Sequence, residues 1–497
     1  MADILRGERF KPPSSDIAEY TSSTADDKIL LIPVVKINKA HMVMLADRGI
    51  VEQKEAALCL SALDSIPESM KLDPKLEDVH MNVEKFVSDR VGRDVGGRLH
   101  TAKSRNDQVA TAIRLALRKH LTDIISTMLE LRGVLLNRCD EGLRVLMPGY
   151  THLQHAQPIT LAHNLLAHHD ALTRDTERLF QTLVRVNQSP MGAAALATTT
   201  FKINRLMVAE LLGFQGLVEN SVDAVSARDF AVEVISDLAL MMSDLSRVAE
   251  ELVLWSSREF GVVDMPDEYV STSSIMPQKK NPVVAELVRA KTSHVYGDLF
   301  ASLAIVKALP YSYNLDLQEL TPHLWDACDV AISSARMMTG LIDGAKFDAK
   351  RLRELVRGDM STATDLADLL VKELGIPFRL AHQAVGVIVT KAISQGKALE
   401  QVSGEEVTGV LKEMLGRDYV ISEELLTGAL SPRRSVLSRA VAGGPAPAQV
   451  RRMILARRRR LHADSKVLAS FFTRLSRAET SLSEAVNRIR GGVKLES

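Results

Sequence analysis

Aromatic residues are scarce in this chain, 4% of 497 residues. A core with so few rings must be filled by Leu, Ala, Val and Met, which suits packed helices better than sheets. Cysteine is nearly absent too. Cys59, Cys139 and Cys328 are far apart, odd in number and without a CxxC pair. That spacing argues against a disulfide framework or a zinc cluster and points to a reducing compartment. There is no excess charge of either sign, since Lys plus Arg and Asp plus Glu both number 62. Nothing in that balance calls for nucleic acid or an anionic membrane as the main partner. No run of roughly 18 uncharged apolar residues is present, so no membrane span is expected. The polar start MADILRGERFKPPSSD lacks the apolar stretch of a secretory signal. Alternating strand patterns, Gly-rich nucleotide fingerprints and 20–50-residue repeats are also missing. A cytoplasmic globular protein of two or three domains is expected.

What the chain does have is helical periodicity. Between Ala227 and Trp255, apolar residues fall at Val234, Leu238, Met241, Leu245, Val248, Leu252 and Trp255, three or four apart, with no Gly or Pro between. That is one helical face of roughly thirty residues, about 43 Å long. Similar patterns run from Asn106 to about Leu146, from Pro158 to about Val186, and onward from Pro282. Loops are expected at Asn187–Thr200 and Gly261–Ser274, and a turn at Val441–Ala448 before a basic terminal helix. The spacing predicts an all-α protein: an N-terminal, mostly helical domain over 1–104, a central long-helix bundle over 105–358, and a helical domain over 359–497. Helices this long in a modest chain often pack across subunits, so an oligomer is expected.

Four polar segments interrupt the helices. Gly96–Gln108 crowds His100, Lys103, Ser104, Arg105 and Asn106 before a helix, where donors either cap the helix or hold a carboxylate. Met147–Pro158 places His152 and His155 between prolines; a histidine there is an acid–base candidate or a hydrogen-bonded turn residue. Ser273-Ser274-Ile275-Met276-Pro277-Gln278-Lys279-Lys280-Asn281-Pro282 sets hydroxyls and two lysines between prolines, just before a helix. Leu309–Glu319 offers Tyr313, Asn314, Asp316 and Gln318. None of these has metal-ligand spacing. The run Arg457–Arg460 reads as a solvated helix face, since zero net charge and the lack of interleaved aromatics make a nucleic-acid contact the weaker reading. Together the segments suit acid–base chemistry on a small polyanion, with no cofactor.

SSIMPQKKNP resembles the GSSxMPxKxNP signature of the fumarase/aspartase superfamily. With HTAKSRNDQ and GYTHLQHAQP, it looks like the argininosuccinate lyase branch. Glu77–Met81, Asp223–Asp229, Ala363–Asp368 and Gly375–Arg379 extend the resemblance over nearly the whole chain. The Pro-Met-Gly-Ala-Ala-Ala stretch is similar to archaeal members.

The resemblance implies a three-domain all-α fold whose five long helices per subunit form a twenty-helix core in a homotetramer. It implies reversible cleavage of argininosuccinate to arginine and fumarate, in arginine biosynthesis. By motif, Ser273 would handle the carbon proton, Lys279 would stabilise the aci-carboxylate, His152 would serve the departing guanidinium nitrogen, and Glu286 would orient His152. Ser23, Asn106, Thr151, Asn281, Tyr313 and Gln318 would bind substrate, and Gly261–Lys280 would close over it. Two rival readings are another superfamily member such as adenylosuccinate lyase, and a silent structural tetramer like some delta-crystallins. The chain departs from the family pattern at Thr272, in place of glycine, at Val283, in place of aspartate, and at Thr321, in place of a substrate-binding lysine.

Overall fold

The computed structural model describes residues 14–492. The polar start of the chain, whose composition argued against a signal, lies outside the described residues up to residue 13. Among the described residues there are nineteen α-helices, and the few strands form only two-stranded pairs. The all-α expectation holds.

Five long helices make the central bundle: α1 (Arg105–Gly142), α2 (Leu161–Val186), α3 (Asp229–Ser256), α4 (Val283–Val306) and α5 (Asp316–Gly344). The seven apolar positions read from the sequence between Val234 and Trp255 are all buried on α3, and so are Ala110, Ile113, Leu117, Leu121 and Ile125 on α1. A sixth long helix, α6 (Pro447–Gly491), runs back along α1. Its Val450, Ile454, Phe471 and Val486 belong to the same apolar core as the bundle and the helices Leu31–Asp47 and Gln53–Asp64. A separate core holds Leu366, Leu370, Ile388, Val407 and Leu430. The stretch after residue 359 therefore contributes to both cores.

Two local readings change. Of the long helices, one stops short of Leu146 and the next starts after Pro158, because the polar segment between them, GYTHLQHAQP, lies in a longer extended stretch. It forms a β-hairpin, β1 (Leu146–Thr151) with β2 (Gln154–Thr160). Pro158 sits in β2, and α2 begins only at Leu161, capped by the Thr160 side chain, which accepts from His163 N at 3.2 Å. The arginine run does not simply face solvent either. Arg457 pairs with Asp170 (2.7 Å), Arg458 with Asp140 (2.5 Å) and Arg460 with Glu177 (2.9 Å). These carboxylates stand on α1 and α2, so the run fastens α6 to the bundle. Within Asp27–Asp47, an 18-residue window has a mean hydropathy of 1.6, enough by composition for a membrane crossing, but 72% of that window is buried in the fold. Its apolarity is spent on the shared core.

Candidate active site

The predicted site residues fall into three groups within one chain. The first lies on the α3–α4 connection. Two short strands, β3 (Ser271–Thr272) and β4 (Lys280–Asn281), pair antiparallel and close the base of an exposed flap. Lys280 locks that base through Asp264 (2.7 Å) and Asp267 (2.9 Å). The adjacent lysines thus divide their work. Lys280 is a structural anchor, while Lys279, at the turned end of the flap, has no ion pair among the described residues. Directly after β3, Ser273 Oγ accepts hydrogen bonds from Ile275 N (3.3 Å) and Met276 N (3.2 Å). Two N–H donors on one hydroxyl oxygen favour its deprotonated form. Asn281 sits in β4 opposite Ser271, and Glu286 in the exposed first turn of α4.

The second group is the hairpin tip. Thr151 pairs with Gln154, leaving a two-residue turn, His152-Leu153, with φ of 55° and 57°. Both residues are left-handed, the type I′ geometry usually served by Asn-Gly. A histidine and a leucine there cost on the order of 1–2 kcal/mol each. The turn holds His152 exposed at the end of a stiff arm. Gly149 lets the arm bend: a side chain there would meet the Gln157 carbonyl at 2.7 Å, where the ladder register shifts. His155 is a tether, 2.7 Å from Asp359.

The third group surrounds a narrow cavity of about 100 Å³ beside the start of α5. Ser23, Tyr313 and Gln318 line it together. Ser23 Oγ donates to Asp27 at 2.6 Å, and Gln318 Nε2 to the Thr21 carbonyl at 3.3 Å. Asp27 also accepts from Val79 N at 3.1 Å, and burial raises its pKa to about 6. Thr321 lines the same cavity, so the position of the expected lysine faces this group. Nearby, Asn106 is not the cap of α1. Ser104 takes that role in a capping box with Asp107, and the Asn106 amide donates to the Ala195 carbonyl at 3.1 Å. Asp107 in turn accepts from Gly192 N (3.0 Å) and Ala194 N (2.8 Å), pinning the 187–200 loop beside it. Lys103, the retained basic position, is buried against Asn38; burial lowers its pKa to about 8.

Two buried groups here were not singled out from the sequence. His80 lines the cavity with neither ring nitrogen bonded, and burial drives its pKa to about 4. Arg228 is 3% exposed; its Nη1 reaches the Val225 and Ala227 carbonyls, while Nε and Nη2 have no partner. Its charge acts on Tyr313, whose pKa burial nevertheless raises. Glu77–Met81 and Asp223–Asp229 were noted as resembling family segments, but composition carried no sign that one residue of each would lie buried beside the substrate-binding candidates. Among the described residues, no hydrogen bond or ion pair joins His152 to Ser273 or Glu286 within one chain.

A bundle of long helices carrying a hairpin and a two-stranded flap is the fold of the fumarase/aspartase class of lyases. The profile described as "Lyase" matches residues 9–297, and that described as "Argininosuccinate lyase C-terminal" matches residues 360–437. Among solved structures, EDDS lyase in complex with formate superposes with a TM-score of 0.88 at 31% identity, covering 97% of each chain. The fumarate lyase from Mesorhizobium sp. BNC1 shares the fold, with a TM-score of 0.72 at 20% identity over 88% of this chain and 98% of its own. The argininosuccinate lyase of Methanothermobacter thermautotrophicus is 48% identical over 90% of this chain and 96% of its own. That of Methanothrix thermoacetophila is 47% identical over 98% and 99%. The chain belongs to the argininosuccinate lyase family.

Proposed function

We propose that this protein reversibly eliminates arginine from argininosuccinate to leave fumarate, acting in arginine biosynthesis in the cytoplasm. The observation that carries the chemistry is the Ser273 hydroxyl under two backbone N–H donors, on the same flap as the unpaired Lys279. A proton beside a carboxylate is very weakly acidic, so its removal requires both a strong base and stabilisation of the dianionic carboxylate that forms. Serine is a poor base unless its alkoxide is stabilised. The two N–H groups supply part of that stabilisation. The Lys279 ammonium supplies the rest once the flap closes, and also holds the aci-carboxylate. On the opposite side His152, oriented by Glu286, delivers a proton to the departing guanidinium nitrogen. Ser23, Asn106, Thr151, Asn281, Tyr313 and Gln318 hold the substrate.

These groups meet when subunits assemble as a homotetramer. Tyr296, Phe300 and Leu303 support that reading, as they share one face of α4 and stay exposed in the single chain, Phe300 at 76%. An arm that ends in an exposed histidine suits insertion into a neighbouring subunit's cleft.

The test is fumarate release, followed by absorbance, when purified protein is given argininosuccinate. Wild type should turn over; Ser273→Ala and His152→Asn should each lose at least about 10²-fold. No fumarate from wild type overturns the function, and full activity in either variant overturns the assignment of roles. Turnover of adenylosuccinate in place of argininosuccinate would move the protein to that branch.

A further inference from the structure

The β1–β2 hairpin has two ends, and the lyase reading uses only the tip. At its base, where Leu146 pairs with Thr160, lies a cleft of about 560 Å³. Arg144, Arg353, Arg357 and Arg433 line it, with Glu400 as the one carboxylate. They converge from separate places: the turn before β1, the helix Ala349–Arg357 and the helix Pro432–Ser438. Among the described residues, none of the four arginines has a carboxylate within ion-pair distance. Arg357 acts on Glu400 only through its field, without a bond. The contrast with their neighbours is direct, since Arg439 is paired with Asp365 at 2.7 Å and Arg351 donates to the Phe260 carbonyl at 3.1 Å.

Arg353 and Arg357 are one helical turn apart, and like charges at that spacing oppose the helix that carries them. Four unpaired guanidinium groups around one concavity make its potential strongly positive. Their planar forks match phosphate and carboxylate oxygens two at a time. The volume is that of a small-molecule site and exceeds what a single inorganic anion fills. Among the described residues, no aromatic side chain lines the cleft, so they offer no platform for stacking a base.

We propose that this cleft binds a small polyanion with clustered phosphate or carboxylate groups, at a site separate from the catalytic groups. An occupant would touch the first rung of the hairpin whose tip carries His152.

The full-length assembled protein is titrated calorimetrically with tripolyphosphate and, separately, with citrate, at physiological ionic strength. At least one should bind, near one per chain; which one distinguishes a phosphate from a carboxylate ligand. Binding should weaken at least tenfold in Arg353→Glu/Arg357→Glu, and persist in the control Lys466→Glu/Arg477→Glu, which reverses two exposed charges on α6. Should the double reversal not fold, Arg353→Gln/Arg357→Gln and the single Arg433→Gln carry the same prediction. The proposal is overturned if neither anion binds wild type, or if the cleft and control variants weaken binding equally.

Discussion

At the scale of single residues, Thr321 carries the sharpest departure from the family pattern. It stands where a cation was expected, in a cavity lined by Asp26, Asp27, Asp78 and Glu319 and, among the described residues, by no Lys or Arg. A hydroxyl there can still hydrogen-bond a ligand group, a contact equally present before and in the transition state. Thr321→Val should therefore raise KM about 5- to 10-fold with kcat retained, the scale of one lost neutral hydrogen bond; steady-state kinetics with argininosuccinate checks this. His41 makes a second prediction. It is 1% exposed and bonded through Nε2 to the Thr101 carbonyl at 2.8 Å, and burial lowers its pKa from 6.5 to about 3. The fold accepts the neutral ring, so this contribution is whole above pH 6.5 and is lost as pH falls toward 3. His41→Gln should flatten the acid side of the stability curve relative to wild type, by on the order of 1 kcal/mol per pH unit in that window. Denaturant melts at several pH values read the difference. Residue chemistry was unevenly legible. The family resemblance named Ser23, Tyr313 and Gln318 as substrate contacts, and they do share a cavity. The resemblance also chose Lys279 over its neighbour, but the anchoring role of Lys280 was not legible, because only the flap's fold brings Asp264 and Asp267 to it.

At the scale of elements, the long helices were readable because a three-to-four-residue apolar period has one simple solution. The hairpin was not. Its turn is His-Leu, with neither the Gly nor the Asn that marks a tight turn, and the cost of two left-handed residues is visible only in the backbone. The third helical stretch reads as starting near Pro158, yet here Pro158 lies in a two-stranded ladder. The arm's stiffness depends on Gly149, where the strands approach too closely for a side chain. Gly149→Ala should force the strands apart, costing about 1–3 kcal/mol of stability. Because His152 rides on the tip, fumarate release should fall by at least about tenfold, since small misplacement of an acid–base group is expensive. A variant that melts earlier but turns over normally at a temperature where it is fully folded would mean the arm is not the positioning element.

At the scale of the whole molecule, the sequence pattern showed long apolar helices and led to the expectation that they pack across subunits. Much of their surface closes on the chain's own core, with α6 returning along α1. The apolar face of α4 at Tyr296, Phe300 and Leu303 does not. The flap serine, the hairpin histidine and the Ser23–Tyr313–Gln318 cavity likewise remain three unconnected groups in one subunit. An account in which each catalytic centre draws on different subunits joins these two facts, and it has a direct consequence. Ser273→Ala and His152→Asn subunits, inactive as separate oligomers, should regain fumarate release when co-expressed with different tags and isolated as mixed oligomers, because some centres then receive an intact serine and an intact histidine. Mixed oligomers of wild-type size that recover no activity would contradict it.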